Sequence, residues 1–144
     1  PRLPYRVNKH NIFRKGLSDL VELPLSATLI PFAGTTMRIM PGITKFQQKL
    51  LHLESMSSGK PVVFVIHPNE LIDESETPRS IHRRSRNPIS YLLGDVIRAK
   101  LKAKNLGAKA LPIYEELIKY YIDHEYKFET MQTYVDERIQ EGKL

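Results

Sequence analysis

The stretch KPVVFVIHP, residues 60–68, limits the folds open to this chain more than any other part of it. Residues 62–66 are all β-branched or aromatic, and no polar residue alternates with them. Continuous apolar runs of this length are typical of strands buried on both faces, as in a parallel sheet. We therefore predict a strand over residues 60–68, in a sheet that helices cover on both sides.

The segments on the amino-terminal side of this run predict extended chain followed by helix. Residues 20–32 alternate apolar and small side chains, and Pro24 places that stretch at the end or edge of a strand. Residues 33–42 predict a loop or short helix. Thr44 and Gln47 fit a capping box that starts a helix, and Gly59 fits its end. Its predicted apolar stripe comprises Phe46, Leu50, Leu53 and Met56.

The carboxyl-terminal half predicts a long polar loop over residues 69–87, two helices, a last strand and a closing helix. Asn87 followed by Pro88 predicts a helix start, and Gly107 with Pro112 separates that helix from the next. The stretches 126–131 and 133–139 predict the strand and the closing helix. The apolar stripe of the first helix comprises Ile89, Leu92, Leu93, Val96, Ile97 and Leu101. The inward side of the second comprises Ile113, Leu117 and Tyr120 or Tyr121.

This order of elements predicts the α/β class, with parallel connections between sequential strands. Its 144 residues suit one domain spanning residues 1–144. An α/β barrel usually needs about 250 residues, so three predicted strands amount to half of one. The absence of Cys excludes disulfides, thiolate metal sites and Cys nucleophiles. No apolar run has the length that a membrane span requires.

The net charge of +6 admits an anionic partner. The excess lies in the basic loop, residues 79–86, and in residues 98–104. A solvated loop and the polar face of a helix are the favoured interpretation of the two runs. Nucleic acid is disfavoured as a partner, because the basic loop contains no aromatic side chain for stacking on bases.

His67 is the most informative single residue, because it ends the predicted buried strand. The carboxyl ends of such strands build the functional sites of barrels and of open sheets, and Pro68 fixes the backbone as it leaves the sheet. An imidazole at this place can transfer a proton, or it can simply form a structural hydrogen bond. The other four histidines are not spaced as metal ligands, so we predict no metal site within this chain.

A resemblance to a known family depends on four stretches: RLPYRVN, LVELPLS, VVFVIHPNE and YEELIKYYIDHEYKFETM. In these the chain resembles the second half of the polysaccharide deacetylases, the NodB-homology carbohydrate esterases, from Arg2 to about Met131. Arg2, Pro4 and Tyr5 match the third motif of that family. Val65 and His67, at the end of the hydrophobic strand, match the fifth. The resemblance implies part of an irregular α/β barrel with a divalent metal, zinc or similar, at the strand ends.

The resemblance also implies roles for individual residues in hydrolysing the acetamide of an N-acetylated sugar, where a metal-bound water attacks the carbonyl. Arg2 would hold the aspartate base, and the backbone N–H of Tyr5 would stabilise the oxyanion. His67 would protonate the leaving amine. Val65 would shape the pocket for the acetyl methyl group, and Pro4 would contribute to the substrate site.

Two departures from the family bear on this expectation. The Asp-Asp and His-x-x-x-His motifs would lie upstream of Pro1, so the chain is expected to be the carboxyl-terminal portion of a longer enzyme, inactive alone. The expected metal would then bind only in the full-length protein. The fourth motif normally contains Asp-Trp, and this chain has no Trp. Glu22 lies near the corresponding segment and would orient His67.

The expected partners are an N-acetylated carbohydrate, the amino-terminal half of the same protein, and other copies of the fragment that associate through unpaired sheet edges. Two alternatives stay open. One is a domain that binds a polyanion through the basic loop, with a binding constant that falls as salt rises. The other is a catalytically degenerate family member with a structural role. The cellular compartment is not predicted.

Overall fold

A small antiparallel sheet and five helices make up the part of the chain that the structure, a computed structural model, describes. That part comprises residues 3–72 and 87–144, without the side chains of Leu93, Arg98 and Lys102. The α/β class predicted from the sequence is therefore confirmed. Within these residues the strands do not close into a barrel.

The sheet contains β1 (Tyr5–Asn8), β2 (Asn11–Lys15) and β3 (Val21–Glu22), in the order β2-β1-β3. Both neighbours of β1 run antiparallel to it. The chain can return closely after β2 because residue 16 is glycine: a Cβ there would collide with the backbone of Asn8. This sheet differs from the parallel sheet predicted, because short turns join its strands and no helix crosses between them.

The apolar run 60–68 is extended and pairs in parallel at one point. Ala33 and Val65 form a parallel bridge, in which the Gly34 amide donates to the Val65 carbonyl at 2.7 Å. The Ser26 amide donates to the Val63 carbonyl at 3.0 Å. The predicted parallel neighbour is thus present, but it is reduced to a bridge because the two segments share few hydrogen bonds.

Five helices follow the sheet. Helix α1 spans Gly34–Ile39, α2 spans Pro41–Ser58, α4 spans Leu111–Asp123 and α5 spans Met131–Gln140. Helix α3, over residues 88–103, has three parts: Pro88–Ser90 and Arg98–Ala103 are α-helical, and Tyr91–Ile97 has π-helical hydrogen bonding. None of the helices in the described ranges is long and apolar enough to cross a membrane.

Helix α2 begins earlier than the predicted capping box. Pro41 occupies its first turn, where the missing N–H costs nothing. Thr44 and Gln47 therefore lie inside the helix: the Thr44 hydroxyl donates to the Met40 carbonyl at 3.2 Å, and the Gln47 amide donates to the Ile30 carbonyl at 2.7 Å. The predicted end is confirmed, since Gly59 adopts the left-handed conformation with φ of 64°.

The predicted apolar stripe of α2 faces solvent. Phe46, Leu50, Leu53 and Met56 are all exposed. The buried positions are instead Thr44, Gln47, Gln48 and Leu51. The helix predicted from this spacing is confirmed, but its apolar side chains are not the ones that meet the core.

Helix α3 begins where the sequence predicts. The Asn87 side chain accepts hydrogen bonds from the amides of Ile89 at 2.9 Å and Ser90 at 3.4 Å. Its apolar stripe is not a buried face, however, because Ile89, Leu92, Ile97 and Leu101 are exposed.

The carboxyl terminus is helical, without the predicted strand over residues 126–131. Residues 126–130 are irregular, and the Thr130 hydroxyl accepts from the Thr133 amide at 3.1 Å as the N-cap of α5. No strand within the described residues pairs with this stretch, and the chain enters α5 directly after it. The predicted closing helix over residues 133–139 is confirmed and is slightly longer.

The core lies between residues 62–66 and the helices α1, α2 and α4. It contains Phe32, Met37, Leu51, Leu117 and Tyr121. Leu117 and Tyr121 face inward on α4, as predicted. Phe32 packs edge-on against Phe64, with ring centroids 5.0 Å apart. This packing holds the run that leads to His67.

Candidate functional site

His67 lies where the extended run 62–66 ends and the chain enters a 3₁₀ turn, Pro68–Glu70. The residue is exposed, and its backbone is still extended, with φ of −90° and ψ of 133°. Pro68 restricts the residue before it to such extended conformations. The local sequence therefore presents the imidazole to solvent at the end of the run.

Glu70 anchors this turn to helix α1 through a buried ion pair. Its Oε1 accepts hydrogen bonds from the Thr35 hydroxyl at 2.7 Å and from Nη2 of Arg38 at 2.8 Å. Its Oε2 accepts from the His67 amide at 3.2 Å. The Arg38 and Glu70 side chains are only 4% and 6% exposed. Both carboxylate oxygens are thus occupied, and one of them holds the backbone of His67.

The surroundings of Glu70 favour its charged form. Burial by itself raises the pKa of this carboxyl group. The hydrogen bonds from Thr35, Arg38 and the His67 amide, together with the charge of Arg38, outweigh that effect. The net result is a pKa of Glu70 below its ordinary value of 4.5.

Arg38 extends the anchor to the segment after α3. Its Nη1 donates to the Lys104 carbonyl at 2.8 Å, and its own carbonyl accepts from the Asn105 side-chain amide at 2.8 Å. The sequence analysis missed both Arg38 and Glu70. Glu70 could have been identified from its position three residues after His67. No signal in the nearby sequence indicates that residue 38 is its partner.

Tyr5 and Glu22 form a second cluster, in the sheet. They lie directly opposite each other on β1 and β3, so their side chains share one face. The Tyr5 hydroxyl lies 3.3 Å from the Ile12 carbonyl. Burial, the charge of Glu22 and a hydrogen bond with that carboxylate raise the pKa of Tyr5 above 10.0. The Oε2 atom of Glu22 is buried and has no hydrogen-bond partner among the described residues.

The backbone amide of Tyr5, which the family resemblance makes an oxyanion donor, faces the sheet. The Val7 amide donates to the Leu20 carbonyl at 3.0 Å. Antiparallel hydrogen bonds alternate along a strand, so the amide two residues earlier also points toward β3. A substrate oxygen would have to compete with Glu22 for this donor, and the oxyanion role stays a prediction.

The remaining predicted site residues fall in several places. Pro4 is buried just before β1, and Val65 is partly exposed beside Ala33. No hydrogen bond or ion pair in the described ranges joins Glu22 to His67, so the predicted orienting role of Glu22 stays a prediction. Arg2 and the basic loop lie outside the described residues.

The donor groups needed for a metal are not assembled in the described residues. Across 3–72 and 87–144, no three His, Cys, Asp or Glu side chains come together in a way that could hold an ion. These residues therefore do not fit the divalent metal that the resemblance implies.

The chain matches no protein-family model, no curated protein and no solved structure. Its resemblance to the deacetylases thus depends on the short motifs alone. The function must be argued from what the side chains of the two clusters can do chemically.

Proposed function

We propose that this chain supplies the general acid and part of the acetyl pocket of a metal-dependent hydrolase that removes acetyl groups from N-acetylated sugars. It would do so as the carboxyl-terminal portion of an irregular α/β barrel of the polysaccharide deacetylase type. The observation that supports this most is His67, an exposed residue at the end of an extended run, whose backbone amide donates to the buried carboxylate of the Arg38–Glu70 pair.

The chemistry of amide hydrolysis suits such a group. Water adds to the acetyl carbonyl and the C–N bond breaks, giving acetate and a free amine. The nitrogen must gain a proton as it leaves, because an amide anion is a very poor leaving group. An imidazole can give that proton near neutral pH. Anchoring its backbone through Glu70 limits the positions from which it does so.

Val65 suits the acetyl end of the substrate. It precedes His67 by two residues, so both side chains lie on the same side of the extended run. Its side chain is apolar and partly exposed beside Ala33. A methyl group packed there would lie next to the scissile bond that His67 serves.

One edge of the extended run 62–66 supports the part of this proposal in which the chain belongs to a larger sheet. Residues 63 and 65 hydrogen-bond to the segment 26–34 on one side. The backbone amides of Val62, Phe64 and Ile66 point to the other side and have no partner within residues 3–72 and 87–144. A further strand at this edge would pair them, as in a barrel.

The metal in this proposal would need ligands from outside the described residues, since those within them do not assemble a site. We therefore assign no step through the metal to this chain. Its own contribution is the proton donor at His67, the apolar contact at Val65, and the buried support beneath them.

The proposal is tested with the protein as its native cell makes it. Its intact mass shows whether it exceeds the 16.7 kDa of this chain. Acetate release from N-acetylglucosamine oligomers is then measured with zinc or cobalt present and after chelation. We expect release that requires metal and that His67→Ala lowers by about a hundredfold or more.

His10→Ala is the matched control, because His10 is exposed in a turn of the sheet and has no role in the proposal. It should leave acetate release unchanged. Absence of metal-dependent release from any N-acetylated sugar would overturn the proposal. Equal loss in both histidine variants would remove His67 from the role of acid.

A further inference from the structure

Helix α2 presents a regular apolar seam to solvent. The seam comprises Ile43, Phe46, Leu50 and Leu53, each between 40% and 63% exposed. Their spacing of three, four and three residues is that of the a and d positions of two heptads. Helices with this pattern pack side by side through it.

Two buried glutamines of α2, Gln47 at the edge of the seam and Gln48 on the opposite face, keep the seam outside. The Gln48 side-chain amide donates to the Leu117 carbonyl of α4 at 3.0 Å, and the Gln47 amide donates to the Ile30 carbonyl. Turning the helix to bury the seam would break both hydrogen bonds and move the two glutamine side chains out of the buried places that they occupy. The exposure of the seam is therefore built into the fold.

Charged residues flank the seam in a pattern that selects a partner. Lys49 lies on one side, at a g position, and Glu54 lies on the other, at the next e position. In a parallel pair of such helices, each g residue meets the e residue five positions on in the second helix. An antiparallel pair would instead bring the two Lys49 side chains together.

We propose that α2 pairs in parallel with α2 of a second copy around a two-fold axis. The seams pack against each other, and Lys49 of each copy binds Glu54 of the other. Glu54 already accepts from Lys60 at 2.8 Å through Oε1, and a carboxylate has lone pairs enough for both cations. A seam of two heptads is shorter than most stable interfaces, so the dimer should dissociate on dilution. This inference does not depend on the proposed hydrolase activity.

The test exchanges the two charges. Lys49→Glu and Glu54→Lys are each made in the full chain, and molar mass is measured by sedimentation equilibrium over a dilution series. Each variant alone places like charges across the seam, and we expect its dimer dissociation constant to rise about tenfold or more. Mixing the two variants pairs opposite charges again and should restore the parent dissociation constant in a mixed dimer.

Lys119→Glu is the control for the change in net charge, because Lys119 is exposed on α4 away from the seam. It should dimerise like the parent. Leu53→Gln, which leaves the Glu54–Lys60 pair intact, should also weaken the dimer, and circular dichroism verifies that every variant folds. A parent chain that stays monomeric overturns the proposal. A dimer whose dissociation constant is the same in all the seam variants also overturns it. Association through the open edge of residues 62–66 would give that result.

Discussion

The carboxyl groups of Glu70, which is buried, and of Glu22, which is half-buried, differ sharply in how completely they are hydrogen-bonded. Glu70, in the turn after His67, has both oxygens occupied by hydrogen bonds and pairs with the buried Arg38. Glu22, in the sheet beside Tyr5, has one buried oxygen that accepts no hydrogen bond within residues 3–72 and 87–144. A buried charge that is fully paired mainly holds structure in place. A buried oxygen with spare capacity can still accept a hydrogen bond.

The difference suggests how the candidate site is divided. In the turn after His67, both oxygens of Glu70 already accept hydrogen bonds. The imidazole can therefore be exposed without the turn losing its shape. In the sheet cluster, by contrast, one buried carboxylate oxygen accepts no hydrogen bond from any of the described residues. Substituting the two carboxylates in the same way should therefore give unequal results.

The largest effect should come from Glu70→Gln. The amide cannot accept at both positions, and it leaves the buried guanidinium of Arg38 without a compensating charge. We expect the free energy of unfolding to fall by about 3–5 kcal/mol, measured by urea denaturation. The double variant Arg38→Met with Glu70→Leu should recover most of this loss, because no unpaired charge then stays buried. A loss under about 1 kcal/mol in Glu70→Gln would contradict the assigned role.

The second effect is a fall in the free energy of unfolding at acidic pH. Because the folded-state pKa of Glu70 is lowered, its ionised form stabilises the fold fully above its ordinary value of 4.5. As pH falls below 4.5, the unfolded chain takes up the proton first, and stability is lost down to the folded pKa. Unfolding free energies of the parent and of Glu70→Gln, measured from neutral pH downward, should converge through this window. Parallel curves would show that the carboxyl group does not titrate as described.

The smallest effect on stability should come from Glu22→Gln. The change removes the charge of a carboxylate whose Oε2 accepts no hydrogen bond in the part of the chain that the structure describes. The free energy of unfolding should therefore change by less than about 1 kcal/mol. The informative readout is Tyr5. Without the charge of Glu22, the pKa of Tyr5 should move down toward 10.0, while burial keeps it somewhat raised.

Ultraviolet titration of the tyrosines checks this, as the difference between Glu22→Gln and the parent chain. Identical titrations would mean that Glu22 and Tyr5 do not interact. A stability loss as large as that of Glu70→Gln would mean that the sheet cluster is as completely paired as the turn.

Several features could be predicted because they depend on neighbours in sequence. Asn87 before Pro88 caps α3, and Gly59 ends α2, since each needs only its own side chain and the adjacent backbone. Leu117 and Tyr121 face the core as the spacing of α4 indicates. His67 was placed at the end of an extended run because residues 62–66 are all β-branched or aromatic, which favours extended chain.

Other features were missed because sequence spacing does not say which side of an element meets the core. Helix α2 buries Gln47 and Gln48, because their side-chain amides donate hydrogen bonds to carbonyls of segments distant in sequence. The same orientation of the helix exposes Phe46 and Leu53. The strand predicted over residues 126–131 failed for a related reason. A strand needs a neighbouring strand to pair with, whereas the cap at Thr130 needs only the adjacent backbone to begin a helix.

The sequence by itself determined the α/β class, the helix ends marked by Asn and Gly, and the histidine that follows an apolar run. These depend on interactions among residues a few positions apart. The tertiary structure alone decided which glutamate is paired and which is not. Arg38 and Glu70 are 32 residues apart, and only the packing of α1 against the turn brings their charges into one buried place. Desolvation and pairing are properties of that place, so no pattern along the chain could distinguish Glu70 from Glu22.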